Sequence, residues 1–146
     1  GTSNGGATGV LRGAYVVSEA QGRPDALLLA TGSEVSLAIE AQAALRERGV
    51  DARVVSMPSW EVFAKQDQAY RDEVLPPNVR ARVSIEAGVT LGWERWVGDA
   101  GSVIGIENRF GASAPAATVM RELGFNVDNV VAQTLATVER ISAVTA

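Results

Sequence analysis

No cysteine and no histidine occur among the 146 residues. Without cysteine there is no thiolate nucleophile, no disulfide and no thiol metal site. Without histidine the commonest general base near neutral pH and the commonest transition-metal ligand are missing. Lysine is nearly absent as well: Lys65 stands alone beside twelve arginines, and the net charge is −4. The arginines are scattered among acids along the chain, whereas a nucleic-acid groove needs basic residues gathered on one face. No apolar run approaches the roughly 20 residues of a membrane-spanning helix. The opening Gly1-Thr-Ser-Asn-Gly-Gly6 has none of the layout of a signal peptide. These absences point to a protein of the cytoplasm, with no nucleic acid and no membrane among its partners. Catalysis by one of the seventeen carboxylates would need strong pKa tuning, which a sequence does not display.

What is present reads as one domain with a sizeable core, since 47% of the residues are hydrophobic and 21% charged. Residues 1–12 hold four glycines in the first nine positions and read as a linker or mobile N-terminus, leaving 13–146 as the domain. The centre of the pattern is strand, helix, strand over residues 26–56. Ala26–Ala30 is a short, wholly apolar run, as expected of a strand buried on both faces. Thr31-Gly-Ser-Glu34 fits a capping box that opens a helix. Val35, Ala38, Ile39 and Leu45 repeat at helical spacing, with Gln42 interrupting, and Gly49 follows the last turn. Ala52–Ser56 is a second, β-branched strand, parallel to the first because a helix connects them.

Around this unit, Ala14–Glu19 reads as an edge strand. Ser59 and Asp67 cap short helices over Trp60–Gln66 and up to Val74, and Pro76-Pro77 ends the second. Ala81–Ala87 alternates Val83, Ile85 and Ala87 with Arg82, Ser84 and Glu86, a strand pattern. Trp93–Val97 is a helical turn or two, Ser102–Ile106 the last strand. A helix opened by Ser113 and Pro115 closes at Gly124, and Asn126 caps the final one. Strands alternating with helices predict the α/β class: three αβα layers around a mainly parallel sheet of five strands, four of them parallel.

Several stretches are candidate sites, each with a plainer explanation. Thr31, Gly32 and Ser33 follow a strand and open a helix, where backbone amides can hold a phosphate; a self-capped helix, with Glu34 on those amides, explains the same residues. Arg109, in Arg109-Phe-Gly-Ala-Ser-Ala-Pro115, can join such an anion site or simply belong to a structured turn. Glu86 ends a strand, where ligands of open α/β sheets bind. Asp99 and Glu107 lie near other strand ends, so the three can form an acidic or metal cluster or serve as ordinary capping and salt-bridging carboxylates. Trp93 and Trp96, three apart on one helical face with Arg95 between them, suit an interface or a satellite core cluster. Neither a dinucleotide fingerprint nor a P-loop is present, because Gly5-Gly-Ala-Thr-Gly9 follows no strand and Lys65 lacks the preceding glycines.

An ordered set of segments resembles the C-terminal domain of transketolase: Ala30-Thr-Gly-Ser-Glu-Val35, Val54-Val-Ser-Met-Pro-Ser-Trp-Glu-Val-Phe63, Gln66-Asp67, Tyr70-Arg71, Val74-Leu-Pro-Pro77, Ala81-Arg-Val-Ser-Ile-Glu-Ala-Gly88, Gly92-Trp93, Val97-Gly98, Arg109-Phe-Gly-Ala-Ser-Ala-Pro115 and Gly124-Phe125. Together they cover roughly residues 10–142. The chain departs from the pattern at Glu107-Asn108, where the family carries a single acidic residue. The resemblance implies a parent enzyme that moves a two-carbon ketol unit between sugar phosphates in the pentose phosphate pathway. It further implies thiamine diphosphate and a divalent metal, Mg or Ca, held by the N-terminal and middle domains of a homodimer. This domain itself is then mainly structural and supports the dimer. No catalytic, cofactor or metal residue of the family can be placed here; Gly98-Asp99-Ala100 echoes the cofactor motif only superficially. Two other readings stay open: a free-standing anion- or nucleotide-binding module using Thr31 or Arg109, and a ligand-free dimerisation domain.

Overall fold

In the computed structural model, which describes residues 6–86, 92–105, 117–122 and 124–145, the chain forms five strands. They are β1 (Tyr15–Ser18), β2 (Ala26–Ala30), β3 (Ala52–Ser56), β4 (Arg82–Glu86) and β5 (Ser102–Gly105), in the order β1-β3-β2-β4-β5. β2 runs parallel to β3 on one side and to β4 on the other, so Leu28 lies opposite both Val54 and Val83. β5 continues the parallel set with Ile104 opposite Ile85, and only β1, against β3, is antiparallel. The expected five strands, four of them parallel, are those found among the described residues.

The sheet is covered on both faces. α2 (Glu34–Glu47) and α7 (Val127–Thr145) pack on one side over Ala26, Leu28, Val54, Val83 and Ile85. On the other side α3 (Trp60–Ala64), α4 (Gln68–Val74) and α5 (Glu94–Val97) cover Leu27, Leu29 and Val55. Burial on both faces explains why β2 is apolar at every position. It also reaches the polar positions of β4, which forms where the alternation places it. Ser84 is fully buried, because β4 lies between β2 and β5 under helices on both sides.

Local signals place most element ends. Ser59 Oγ accepts from Val62 N and Asp67 Oδ1 from Tyr70 N (2.9 Å), capping α3 and α4. Asn126 Oδ1 accepts from Asn129 N (2.7 Å) at the start of α7. Gly49 closes α2 with φ +81°, and Val50 N reaches back to Leu45 O (2.9 Å), a paired closure that needs the left-handed residue. Gln42 is no interruption. Its side chain is buried, donates to Ser18 O, Glu19 O and Ala52 O, and accepts from Ser18 Oγ at 2.7 Å, pinning β1 and its register shift to α2.

Residues 6–11, in the stretch read as linker or mobile N-terminus, form a short helix, α1 (Gly6–Leu11). α1 lies close to the fold because a Cβ at Gly9 would sit 2.5 Å from the Tyr15 ring, and one at Gly13 would sit 2.3 Å from Ser59 O. α6 (Ala117–Glu122) precedes Gly124 as expected; its proposed openers, Ser113 and Pro115, lie outside the described residues. No helix among the described residues is long and apolar enough to cross a membrane.

Candidate functional site

The carboxyl ends of β2, β3 and β4 meet at a crevice of about 500 Å³. β3 and β4 lie on opposite sides of β2, so the chain changes direction across the sheet here, and such a switch point is where open α/β folds bind ligands. Thr31 enters the crevice from the end of β2, the run Met57-Pro-Ser-Trp-Glu61 from the end of β3, Glu86 from β4 and Trp93 from the turn before α5.

Thr31 does not cap α2. Its hydroxyl donates instead to Glu86 Oε1, across the switch point. The residue before the helix is Ser33, in helical geometry (φ −67°, ψ −19°) and with no side-chain capping bond. Backbone bonds close the turn, Glu34 N to Thr31 O and Val35 N to Gly32 O, both 3.2 Å. Glu34 reaches no amide behind it and instead accepts from Ser33 Oγ at 3.2 Å. The expected capping box is thus replaced by a bond to a residue 55 positions away.

This arrangement is unfavourable for an anion at Thr31, Gly32 and Ser33, since Glu34 and Glu86 both stand beside the turn. Burial pushes the Glu34 carboxyl above its ordinary value, and the Glu86 charge adds to the rise, while bonds from its own backbone and Ser33 oppose it. Glu34 therefore opposes folding once ionised. The penalty is full above its folded pKa, shrinks as pH falls through that pKa, and is gone below the unfolded carboxylate range. Glu34→Gln is accordingly expected to raise the melting temperature at pH 7, with a gain that fades on acidification. Thermal melts across pH 3–8 test this, and a loss of stability at neutral pH would contradict it.

Of the remaining candidate anion-site and acidic residues, only Asp99 is among those described. Arg109 and Glu107 lie outside the described residues. Asp99 precedes β5 and so stands at the amino end of the sheet, opposite to Glu86. It is almost fully exposed and 3.9 Å from Arg80 Nη2. No group of three or more potential ligands placed to hold a metal occurs among the described residues.

Trp93 and Trp96 point inward, in keeping with the satellite-cluster alternative. Both are buried on the α3 side of the sheet. The Trp93 ring meets Trp60 edge-on at 4.7 Å, and Trp96 lies 5.4 Å from Phe63. Their shared helical face is real, but α3 covers it. Arg95 lies over the Trp96 ring at 4.6 Å. The sequence reading passed over Trp60 and Glu61 as crevice residues. The signal available was their place just past the end of β3.

Comparison with known proteins decides the family. The family model described as transketolase-like TK C-terminal domain matches residues 13–126. The chain belongs to the transketolase C-terminal domain family. It is 59% identical over 129 residues to the transketolase of Geobacillus stearothermophilus, covering 88% of this chain and 19% of that protein. It is 51% identical over 124 residues to transketolase 1 of Escherichia coli K12, covering 85% and 19%. The solved transketolase of Leishmania mexicana superposes with a TM-score of 0.82 at 39% identity, covering 94% of this chain and 20% of that one. The chain thus spans about a fifth of the length of the transketolases it matches.

The described residues do not fit the cofactors that the transketolase family implies. A diphosphate in the crevice would face Glu61 and Glu86, and among the described residues no Lys or Arg lines that space. The chain also has no histidine to hold a sugar phosphate.

Proposed function

We propose that the chain is the C-terminal domain of a transketolase and serves it structurally, as a support for the homodimer. The carrying observation is the match itself: nearly nine-tenths of this chain aligns with about a fifth of a transketolase. In this reading residues 1–12 join the domain, 13–146, to the N-terminal and middle domains. The parent transfers a two-carbon ketol unit between sugar phosphates in the pentose phosphate pathway of the cytoplasm. Those other domains carry thiamine diphosphate and Mg or Ca; this one carries none of the chemistry. The carboxylate-walled crevice supports that division, because it disfavours both diphosphate and sugar phosphate.

The isolated 146-residue chain is therefore expected neither to bind thiamine diphosphate nor to transfer ketol groups. Calorimetry with thiamine diphosphate and Mg, and a coupled transketolase assay, measure both. Micromolar binding or turnover by the pure chain would overturn the assignment. Phosphate and nucleotides are expected to leave its melting temperature unchanged, whereas a ligand at 100 times its dissociation constant would add about 2.7 kcal/mol.

A further inference from the structure

The crevice and its surroundings hold three kinds of unmet demand. The first is charge. Glu61 is exposed on the first turn of α3 and has no hydrogen bond or ion pair among the described residues. It shares the crevice with Glu86, and among the described residues no basic side chain lines it. The second is a donor. Trp93 is a fully buried wall of the crevice, and its Nε1–H has no acceptor among the described residues, a state rare enough in folded proteins to call for an explanation. The third is apolar surface. Val62 of α3 is 37% exposed, and on α1 Val10 is 48% and Leu11 77% exposed. α1 is tied to the start of α3 by the bond from Ser59 N to Gly13 O (2.9 Å).

We infer that this face, the crevice with α1 and α3 beside it, docks a basic segment of the same polypeptide, drawn from the four-fifths of the parent outside this chain. The inference rests on the reading above that such a parent exists. A Lys or Arg side chain supplies the cation for Glu61, its alkyl stem covers the half-buried Trp60 ring, and a peptide carbonyl gives Trp93 an acceptor. Apolar neighbours on the same segment cover Val10, Leu11 and Val62. Other occupants meet fewer of these demands. A free amine offers no acceptor, a phosphate is repelled by the carboxylates, and a second copy brings another net charge of −4.

Hydrogen exchange on the full-length parent and on the 146-residue chain tests this. Amides over Ser59–Phe63 and Val10–Arg12 are expected to exchange at least about tenfold more slowly in the parent, while Arg46–Arg48, at the end of α2, are unchanged. In the parent, Glu61→Lys is expected to remove most of that slowing and the isosteric Glu61→Gln part of it, with Glu47→Lys as a control that leaves it intact. Equal exchange in parent and chain, or slowing that survives Glu61→Lys, overturns the inference. So does protection in the short chain that grows with its own concentration, which would seat a second copy there. A parent that transfers ketol groups yet leaves this face freely exchanging defeats this inference alone. A parent without that activity defeats the reading beneath it.

Discussion

Leu28→Ala is expected to lower the unfolding free energy by roughly 2–5 kcal/mol, a large share of the about 5–15 kcal/mol that holds a domain of this kind together. Leu28 is the middle residue of the middle strand and is fully buried. Val54 and Val83 flank it in the sheet, and α2 and α7 pack over the apolar cluster it belongs to. Removing three carbons there opens a cavity whose walls are strands fixed by ladder bonds on both sides, so little collapse can fill it. Glu47→Ala, exposed in the last turn of α2, should stay within about 0.5 kcal/mol. Urea melts on both variants read the difference. If the two losses were equal and small, β2 would not be the buried centre of the sheet.

What the sequence disclosed, and what it concealed, divides by distance along the chain. The caps at Ser59, Asp67 and Asn126 each join a side chain to an amide three residues on, so the pattern and the bond coincide. Gly49 is legible for the same reason, as is the apolar run of β2. Thr31 shows how a local pattern can mislead. Thr31-Gly-Ser-Glu34 has the spacing of a capping box, yet Glu86 takes the hydroxyl from 55 residues away. Gln42 broke the apolar stripe of α2 because its polar partners, Ser18, Glu19 and Ala52, come from the end of β1, the residue after it and β3. Trp93 and Trp96 share a face on any helix, but only the placement of α3 decides whether that face is wet. The crevice belongs to this second class, being assembled from the ends of three strands. Its acidic character followed from none of them singly.

Arg82 supplies the second large effect, through a contact that no spacing announces. It begins β4, and its guanidinium donates to four backbone carbonyls: Nε to Val79 O (3.0 Å), Nη1 to Trp96 O (2.7 Å), and Nη2 to Pro76 O (2.9 Å) and Leu75 O (3.3 Å). No carboxylate pairs with it among the described residues, and burial lowers its pKa from the ordinary arginine range. Two effects therefore compete when the charge is removed. Relief of desolvation favours an apolar replacement, as it does for some buried ion pairs. Against it, the acceptors are main-chain groups that the substitution leaves in place, and a half-buried carbonyl without a donor is itself destabilising. The second effect should win, because one side chain serves four acceptors while only one charge is relieved. Arg82→Met is expected to destabilise the domain by roughly 2–4 kcal/mol. Arg82→Lys should recover little of this, since a compact ammonium lacks the planar fork that spans carbonyls from the α4–β4 loop and from α5. Urea melts of both variants give the magnitudes. Hydrogen exchange gives the location, with faster exchange expected at Val79 and Val97, whose amides bond Pro76 O and Trp93 O beside the clamp. A neutral Arg82→Met, or a lysine variant as stable as the wild type, would show that the guanidinium does not hold the α4–β4 loop and α5 together.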